Sequence, residues 1–411
     1  MTAPRKTVVR FDLWVHPDFV TRLQDQGDID FILLQQDDEA AARAAFEKAH
    51  AYHIGAGKDD LQKRWWATDD LFAKAPNLLI VSSAGAGYDT SDLDACTRAG
   101  VLLCNQAGGN ARSVAEHTLG LMLDLTKRIT ETDRKLRATR GYTREDLMGH
   151  ELAGRTLGLI GIGNVGTIVA TMAKAFAMDV VATDPNVDAD EVAHRGARKV
   201  ELDELFAVSD FVSIHCPKIP TTVGMIGEKQ FAAMKPGTIF ITTARGGIHD
   251  EAALTAAMES GHVGGAGLDV WDAEPPPLDH PLLPRDNVVS TFHTAGVTHE
   301  ARQRMARFAA DQIIDCLAGR RPPRILNPEA WPRFAERFED AATVASGLRV
   351  PAAVADFMIL DAVRASGGAA IAVEEARIVE WMTLVASMEG ITIGPEPAAC
   401  IGAVERLAAD G

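Results

Sequence analysis

The sequence predicts an α/β protein with two doubly wound parallel-sheet domains and a small C-terminal α/β appendage. Short apolar runs bounded by turn residues alternate with helical patterns over most of the 411 residues. This alternation is typical of parallel sheets covered by helices on both faces. The pattern occurs twice, and a glycine turn at Gly161–Gly166 opens the second set. The length is sufficient for two or three hydrophobic cores.

The first set of strands and helices lies between residues 7 and 105. Its strands are predicted from short apolar or alternating runs, and its helix from apolar residues at helical spacing. The predicted strands are Val8–Val15, Phe31–Leu34, Leu78–Ser82 and Val101–Cys104, and the predicted helix is Glu39–Ala49. Because strands and helices alternate, we expect the strands to pair in parallel.

A long amphipathic helix, predicted over Ala111–Ile129, separates the two sets. The strands of the second set are predicted at Leu157–Ile160, Val180–Asp184, Phe211–His215, Thr238–Thr242, Gly264–Val270 and Val288–Ser290. A helix predicted over Glu300–Leu317 follows the last strand. Ligands of such sheets bind outside the carboxyl ends of the strands, so we expect the loops after these strands to carry the chemistry.

The glycine turn joins a predicted strand to a helical pattern and therefore predicts a dinucleotide site. Gly161 permits the tight turn, Gly163 lets backbone amides approach a pyrophosphate, and Gly166 lets helix and strand pack closely. The pyrophosphate would lie on a helix N-terminus, where free N–H groups and the helix dipole favour anions. A glycine turn of purely structural origin is the alternative.

Asp184 bears on the identity of the dinucleotide. It lies 18 residues beyond Gly166, close to the spacing of the acid that holds the adenosine ribose hydroxyls. A carboxylate there repels a 2′-phosphate, and the following Pro185–Asp188 supplies no arginine to receive one. The sequence therefore predicts NAD as the cofactor. The alternative is that Asp184 only caps the loop after its strand.

Composition excludes several classes of function. The formal net charge of −16, with acidic and basic residues interspersed, argues against nucleic acid and an anionic membrane as partners. No apolar signal core opens the chain, and no apolar run reaches the roughly 18 residues that span a bilayer. We therefore expect a soluble, cytoplasmic protein. The five cysteines have no C-x-x-C spacing, so neither a metal site nor a disulfide framework is predicted.

Three loops at predicted strand ends carry the candidate chemistry. Arg245 offers a cation between Ala244 and a pair of glycines, Glu274 precedes a proline run, and His293 offers an imidazole. A cation for a carboxylate, together with a tuned acid for a carbonyl oxygen, is sufficient for carbonyl reduction. The alternative for each residue is structural: a surface ion pair, a loop-capping carboxylate and a buried core histidine.

Around these residues the sequence resembles the D-isomer-specific 2-hydroxyacid dehydrogenase family, over roughly residues 1–330. The matching segments are Ala244-Arg245-Gly246, Asp269-Val270 with Glu274-Pro275, His293 with Ala295-Gly296, Gly85–Asp89 and Asn110–Thr118. The resemblance implies a Rossmann cofactor domain at residues 106–297, inserted in a flavodoxin-like substrate domain at residues 1–105 and 298–335. Residues 340–411 would form the appended element.

The resemblance also implies a role for each candidate residue. His293 would protonate the carbonyl oxygen during reduction and take the proton back during oxidation. Glu274 would hydrogen-bond His293 and favour its charged form. Arg245 would pair with the substrate carboxylate and polarise the carbonyl. The amides of Ala86 and Gly87 would hold the other carboxylate oxygens.

A further set of residues would contact the cofactor by the same resemblance. These are Thr118, Gly161, Gly163, Asn164, Val165, Gly166, Asp184, Cys216, Pro217, Thr222, Thr243, Arg245, Asp269, His293 and Gly296. Asp269 would meet the nicotinamide amide. His215 ends a strand and is not expected to be the catalytic acid, and His117 on the long helix is expected to be structural.

The end of the chain, about residues 345–411, resembles the C-terminal part of threonine synthases, which use pyridoxal phosphate. No lysine follows Lys235, so this segment cannot form a Schiff base. We expect it to serve packing or oligomerisation, and a ligand site is the alternative.

The sequence thus predicts an NAD-dependent oxidoreductase, expected to be a homodimer, acting on a small unphosphorylated D-2-hydroxy or 2-oxo acid. Phosphoglycerate dehydrogenases tend to carry an arginine where this chain has Ser82-Ser83-Ala84, which disfavours a phosphorylated substrate. Two alternatives remain. One is a phosphoglycerate dehydrogenase, and the other is a non-catalytic NAD-sensing protein like the C-terminal-binding-protein corepressors.

Overall fold

A computed structural model of the chain describes residues 5–331 and Glu380. These residues divide into two compact units, the first from residues 5–14, 19–105 and 309–331, the second from residues 15–18 and 106–308. Each unit contains one parallel sheet, so the two predicted parallel-sheet α/β domains are confirmed. The predicted domain bounds and the substrate role of the first unit stay predictions. Apart from Glu380, the predicted appendage at 340–411 lies outside the described residues.

The sheet of the first unit has five strands: β1 Lys6–Phe11, β2 Ile29–Leu34, β3 Ala51–Ile54, β4 Ile80–Ser83 and β5 Leu102–Cys104. They pair in parallel in the order β2-β1-β3-β4-β5. This order is the flavodoxin-like one, in which the chain reverses direction across the sheet between β1 and β3. The first strand ends at Phe11, earlier than the predicted Val15, because Leu13 N–H turns back to the Phe11 carbonyl at 2.8 Å.

The sheet of the second unit has seven strands. They are β6 Thr156–Ile160, β7 Asp179–Thr183, β8 Arg198–Lys199, β9 Phe211–Ile214, β10 Thr238–Thr242, β11 Val263–Leu268 and β12 Val288–Ser290. All pair in parallel in the order β12-β11-β10-β9-β6-β7-β8. This is the Rossmann order with one added strand, and its direction reverses between β6 and β9, beside the glycine turn.

Twelve α-helices connect these strands within the described residues. They are α1 Asp18–Gln24, α2 Glu39–Phe46, α3 Asp69–Phe72, α4 Leu93–Ala99, α5 Ala111–Lys127, α6 Ile129–Ala138, α7 Asn164–Ala175, α8 Ala189–His194, α9 Leu202–Val208, α10 Glu228–Ala233, α11 Glu251–Glu259 and α12 His299–Leu317. Short 3-10 turns lie at Lys63–Trp65, Glu145–Leu147 and Pro328–Ala330. None of the described helices is long and apolar enough to cross a membrane.

The long helix α5 ends two residues before its predicted end at Ile129. Arg128 takes a left-handed conformation with φ of 56° and closes α5. Its guanidinium donates two hydrogen bonds to Glu131, at 2.6 and 2.7 Å, and Asp124 accepts from Thr130 N–H at 2.7 Å. These polar contacts fix a break that the apolar periodicity does not reveal.

Both faces of the second sheet are buried, which explains its near-continuous apolar strands. Successive residues of a strand point to opposite faces. On β10, Phe240 packs into the core with Phe206, whereas Ile241 packs into the opposite core with Leu159 and Val169. The glycine turn and the loops after β9–β12 therefore rest on a rigid, doubly covered sheet.

Four aromatic side chains form the centre of the first unit. Phe46 is 1% exposed, and its ring lies 4.9 Å from Tyr52 and 5.9 Å from Trp65. Phe11 lies 5.0 Å from Trp65. This packing against β1 and β3 anchors the sheet of the first unit.

We expect Phe46→Ala to lower the free energy of unfolding by about 3–5 kcal/mol, because it removes a buried ring and leaves a cavity. Urea unfolding followed by tryptophan fluorescence measures the change. Leu33→Ala on β2, where the side chain is 50% exposed, is the control and should change stability by less than about 1 kcal/mol. An equal loss in both variants would contradict the assignment of Phe46 to the core.

Candidate functional site

The glycine turn after β6 is fixed by close backbone approaches. Gly161 has φ of +94°, and a Cβ there would lie 2.8 Å from the Cys216 nitrogen. A Cβ on Gly166 would lie 2.3 Å from the Gly161 carbonyl oxygen. Side chains at these two positions would push the turn away from β9 and from α7. Glycine is therefore required for the turn to lie at the sheet's carboxyl edge.

The first turn of α7 fits an anionic pyrophosphate. Apart from its chain neighbours, no heavy atom of the described residues lies within 4 Å of the place where a Cβ on Gly163 would stand, and Gly163 and Asn164 are exposed. The first N–H groups of a helix have no intrahelical acceptor, and the helix dipole favours an anion there. Val165 follows in the same turn. A flat, open and amide-lined surface is thus available for phosphate oxygens.

Asp184 borders this surface. Its carboxylate accepts the Ile162 N–H at 3.1 Å and the Asn186 N–H at 3.0 Å, so it ties the loop after β7 to the glycine turn. The carboxylate is partly buried. Negative charge is therefore fixed beside the turn, where the ribose end of a dinucleotide is predicted.

Sequence reasoning missed a cation near Asp184. The Arg195 guanidinium donates to the Ile162 carbonyl at 2.7 Å and to Glu191 Oε1 at 2.7 Å. Arg195 lies beyond the segment searched for a phosphate-binding arginine, and only folding of α8 brings it to the turn. The i, i+4 spacing from Glu191 was the available signal, since such pairs lie on one helix face.

The loop after β9 carries three of the predicted cofactor residues. Thr222 Oγ1 donates to the Pro217 carbonyl at 2.7 Å and accepts the Ile219 N–H at 2.9 Å, which closes this loop as a turn. Burial raises the pKa of Cys216 to about 11, so its side chain is a neutral thiol. Burial lowers the pKa of His215 to about 4, so its imidazole is uncharged at neutral pH. A neutral His215 is consistent with the expectation that it is not the acid.

The loops after β11 and β12 bring Glu274 and His293 together. His293 Nδ1 lies 2.8 Å from Glu274 Oε2. Partial burial by itself raises the pKa of Glu274, but the hydrogen bond and charge of His293, with the charge of Arg245, outweigh it and the pKa lies below its ordinary value. An ionised carboxylate only accepts, so Nδ1 donates and Nε2 is left for proton exchange.

Arg245 is held next to this pair by a close contact between two loops. A Cβ on Gly246 would lie 1.9 Å from the Trp271 carbonyl oxygen, so the loop after β10 packs directly on the loop after β11. Arg245 is half-buried, and its Nη1 donates to the Ala244 carbonyl at 2.7 Å. The side chains of Arg245, Glu274 and His293 thus share the carboxyl edge of β10, β11 and β12.

Asp269 shapes the loop that carries His293. Its side chain is fully buried and accepts from Thr291 Oγ1 at 2.6 Å, Thr294 N–H at 2.8 Å and Ala295 N–H at 3.0 Å. The His293 N–H donates to the Asp269 carbonyl at 2.6 Å, and His293 has φ of 48°. The carboxylate is therefore engaged by the loop after β12, and its predicted contact with the nicotinamide amide stays a prediction.

Trp271 also positions Glu274 and His293, and sequence reasoning gave it no role. Its backbone N–H donates to Glu274 Oε1 at 3.1 Å, and its buried indole N–H donates to the Thr291 carbonyl at 3.0 Å. One residue thus links the loops of Glu274 and His293. The signal in the sequence was a tryptophan directly after a predicted strand, since its apolar ring can be buried while its N–H donates a hydrogen bond.

The remaining predicted residues are distributed over both units. In the second unit, Thr118 Oγ1 lies 3.3 Å from Thr243 Oγ1, and a Cβ on Gly296 would lie 2.5 Å from Asn110 Nδ2. Ala86 and Gly87 belong to the first unit, where their carbonyls accept from Asn105 Nδ2 and Ser83 Oγ. Their place beside Arg245 stays a prediction. No cluster of metal-binding side chains occurs in the described part of the chain.

Comparison with known proteins agrees with this geometry. The sequence model described as the D-isomer specific 2-hydroxyacid dehydrogenase, NAD binding domain, matches residues 119–295. The match contains the glycine turn and all three charged loops. The second unit is therefore an NAD-binding domain.

A relative and two solved structures extend the similarity. A D-3-phosphoglycerate dehydrogenase of Archaeoglobus fulgidus is 42% identical over 250 residues, which are 61% of this chain and 47% of that protein. The chain thus spans about half the length of this relative. The TT0316 protein of Thermus thermophilus is 30% identical, with a TM-score of 0.68 over 78% of this chain and 99% of that one. D-lactate dehydrogenase of Aquifex aeolicus, complexed with NAD and lactic acid, is 27% identical, with a TM-score of 0.67 over 78% and 99%.

We expect Asp184→Ala to narrow the preference for NADH over NADPH by roughly tenfold, the equivalent of about 1.4 kcal/mol, because a fixed negative charge leaves the ribose end of the site. Fluorescence titration of the dissociation constants for both dinucleotides measures the ratio. Asp190→Ala, which removes an exposed carboxylate from α8, is the control and should leave the ratio unchanged. A wild-type preference for NADPH would contradict the role of Asp184.

We expect Glu274→Gln to lower the free energy of unfolding near pH 7, and this difference from the wild type should disappear at acidic pH. Because folding lowers the pKa of Glu274, its stabilisation is present above the unfolded value of about 4.3 and disappears as the pH falls through the lower folded value. Urea midpoints between pH 3 and pH 8 measure the difference between variant and wild type. Glu228→Gln, at an exposed position of α10, should follow the wild type throughout. A difference that is constant with pH would rule out the charge of Glu274 as its cause.

Proposed function

We propose that the chain, which belongs to the D-isomer specific 2-hydroxyacid dehydrogenase family, is an NAD-dependent oxidoreductase. It interconverts a small 2-oxo acid and its D-2-hydroxy acid. The observation that carries the proposal is the His293–Glu274 hydrogen bond of 2.8 Å, beside Arg245, at the carboxyl edge of the NAD-binding sheet. An imidazole held by an ionised carboxylate is the arrangement that general acid–base catalysis uses.

His293 is the proposed proton donor and acceptor. Glu274 holds Nδ1, so Nε2 gives its proton to the carbonyl oxygen during reduction and removes the hydroxyl proton during oxidation. Glu274 also stabilises the imidazolium, which is present before reduction and after oxidation. The nicotinamide, when bound, supplies or accepts the hydride.

Arg245 is the proposed substrate anchor. Its guanidinium pairs with the carboxylate of the 2-oxo acid and polarises the adjacent carbonyl, since charge-assisted hydrogen bonds are strongest in a desolvated site. The Ala86 and Gly87 amides are proposed to hold the other carboxylate oxygens. Neither amide has a hydrogen-bond acceptor within the described residues, which supports this role.

The proposed substrate has no phosphate. Residues 82–92, which include the proposed carboxylate-binding amides, contain no lysine or arginine. The two serines that begin this segment, Ser82 and Ser83, are buried, and Ser83 Oγ donates to the Gly87 carbonyl at 2.5 Å. The segment thus offers amides for a carboxylate and no cation for a second anionic group.

A D-3-phosphoglycerate dehydrogenase is the second candidate, favoured by the 42% identity to the Archaeoglobus fulgidus protein of that name. Oxidation of NADH with hydroxypyruvate and with its 3-phosphate compares two substrates that differ only in the phosphate. We expect the higher kcat/KM with the unphosphorylated acid. A preference for the phosphate ester would favour the second candidate, and no turnover of any 2-oxo acid would favour a non-catalytic NAD-binding protein.

We further propose that the chain forms a homodimer. Ile129 and Leu136, seven residues apart on α6, are 56% and 60% exposed, and Met148 in the following segment is 69% exposed. Exposed apolar side chains grouped in this way mark interaction surfaces. The cytoplasmic location and the exclusion of nucleic acid and membrane as partners stay predictions.

We expect His293→Ala to lower kcat by roughly 10²–10⁴-fold while NADH still binds, because only proton transfer is removed. Arg245→Ala should instead raise KM for the 2-oxo acid and lower kcat together, since substrate pairing and carbonyl polarisation are both lost. Steady-state kinetics and NADH fluorescence titration measure the two effects. Thr255→Ser, whose hydroxyl can still donate to the Glu251 carbonyl within α11, is the control, and near-normal turnover by the His293 variant would refute the proposed role.

A further inference from the structure

Two consecutive residues of α5 contact the two loops that carry the proposed catalytic side chains. His117 Nε2 lies 3.0 Å from Thr291 Oγ1, and Thr291 stands two residues before His293. Thr118 Oγ1 lies 3.3 Å from Thr243 Oγ1, and Thr243 stands two residues before Arg245. One turn of one helix therefore contacts both loops at equivalent positions.

The direction of the hydrogen bonds follows from their acceptors. Thr291 Oγ1 donates its single hydrogen to the buried Asp269 carboxylate at 2.6 Å. The Thr291 oxygen can then only accept from His117, so Nε2 of His117 carries a hydrogen. His117 Nε2 also lies 3.7 Å from Asp269 Oδ1. The imidazole, the hydroxyl and the carboxylate form one ordered chain of donors and acceptors.

The register of α5 on β11 makes this contact possible. A Cβ on Gly267 would lie 3.0 Å from Leu121 Cβ, and one on Gly265 would lie 3.5 Å from Leu125 Cδ2. Every second residue of a strand lies on one face, and every fourth residue of a helix lies on one side. Two residues along β11 advance about 6.6 Å, and four residues along α5 advance about 6 Å. The step from Gly267 to Asp269 on the strand therefore matches the step from Leu121 back to His117 on the helix, and His117 is brought next to Asp269.

We propose that His117 is a positioning residue for the acid–base reaction. It fixes Thr291 on Asp269 and thereby holds His293 in the place from which Nε2 reaches the carbonyl oxygen. This inference rests on the proposed function. Its consequence is that α5 sets the position of His293 against the sheet, independently of the Glu274 hydrogen bond.

The test compares two amide substitutions that place the N–H donor differently. In His117→Gln the amide nitrogen takes the place of Nε2 and can still donate to Thr291, whereas in His117→Asn the amide is too short to reach it. We expect His117→Asn to lower kcat about tenfold with KM for the 2-oxo acid and the NADH dissociation constant within about twofold of wild type. His117→Gln should restore kcat to within about threefold. Glu116→Gln, an exposed neighbour on α5, is the control.

A double-variant cycle identifies the route of the effect. If His117 acts through Thr291, adding His117→Asn to Thr291→Val should lower kcat no further than Thr291→Val alone. Multiplicative losses in the double variant, or a wild-type kcat in His117→Asn, would overturn the proposal. A fall in NADH affinity equal to the fall in kcat would also overturn it, because that pattern reports a general loss of structure.

Hydrogen–deuterium exchange tests the positioning without any turnover. The Thr294 and Ala295 amides donate to Asp269, so His117→Asn should accelerate exchange in residues 291–296 and leave residues 161–166 unchanged. Absence of 2-oxo acid reduction by the wild type would refute the proposed function alone. Unchanged exchange in residues 291–296 would refute the positioning role alone.

Discussion

The buried carboxylate of Asp269 is the constraint on which the candidate site depends. A desolvated carboxylate is costly unless hydrogen-bond donors surround it. The donors come from Thr291, Thr294 and Ala295, so the loop after β12 must wrap around the end of β11. This wrapping gives His293 its left-handed backbone and directs Nδ1 to Glu274. The proposed acid–base pair is thus a consequence of satisfying one buried carboxylate.

Close backbone packing also brings other loops and helices of the second unit into contact. Gly246 lets the Arg245 loop lie on the Trp271 carbonyl, and Gly267 lets α5 lie directly on β11. Any side chain at these positions would separate elements whose polar groups must come within hydrogen-bond distance. The charged residues are held by rigid backbone contacts, which is the preorganisation that electrostatic catalysis requires.

The dinucleotide surface and the acid–base cluster lie at one edge of one sheet but are built differently. The surface after β6 presents backbone amides and one carboxylate, Asp184, and glycines determine its shape. The cluster after β10–β12 presents side chains whose orientations depend on Asp269 and Trp271. A substitution in the cluster is therefore expected to change the proposed proton transfer while cofactor binding is retained, which makes the two proposed roles experimentally separable.

The sequence by itself determined the two parallel sheets, the glycine turn and the strand ends that carry Arg245, Glu274 and His293. These features are local, because an apolar run and the turn residue after it are adjacent in the chain. The tertiary structure decided the break of α5 at Arg128, the place of Arg195 beside the glycine turn and the contact of His117 with Thr291. Those contacts depend on how a helix is registered over a strand or a turn. That register is set by packing between residues distant in sequence, which periodicity along the chain does not encode.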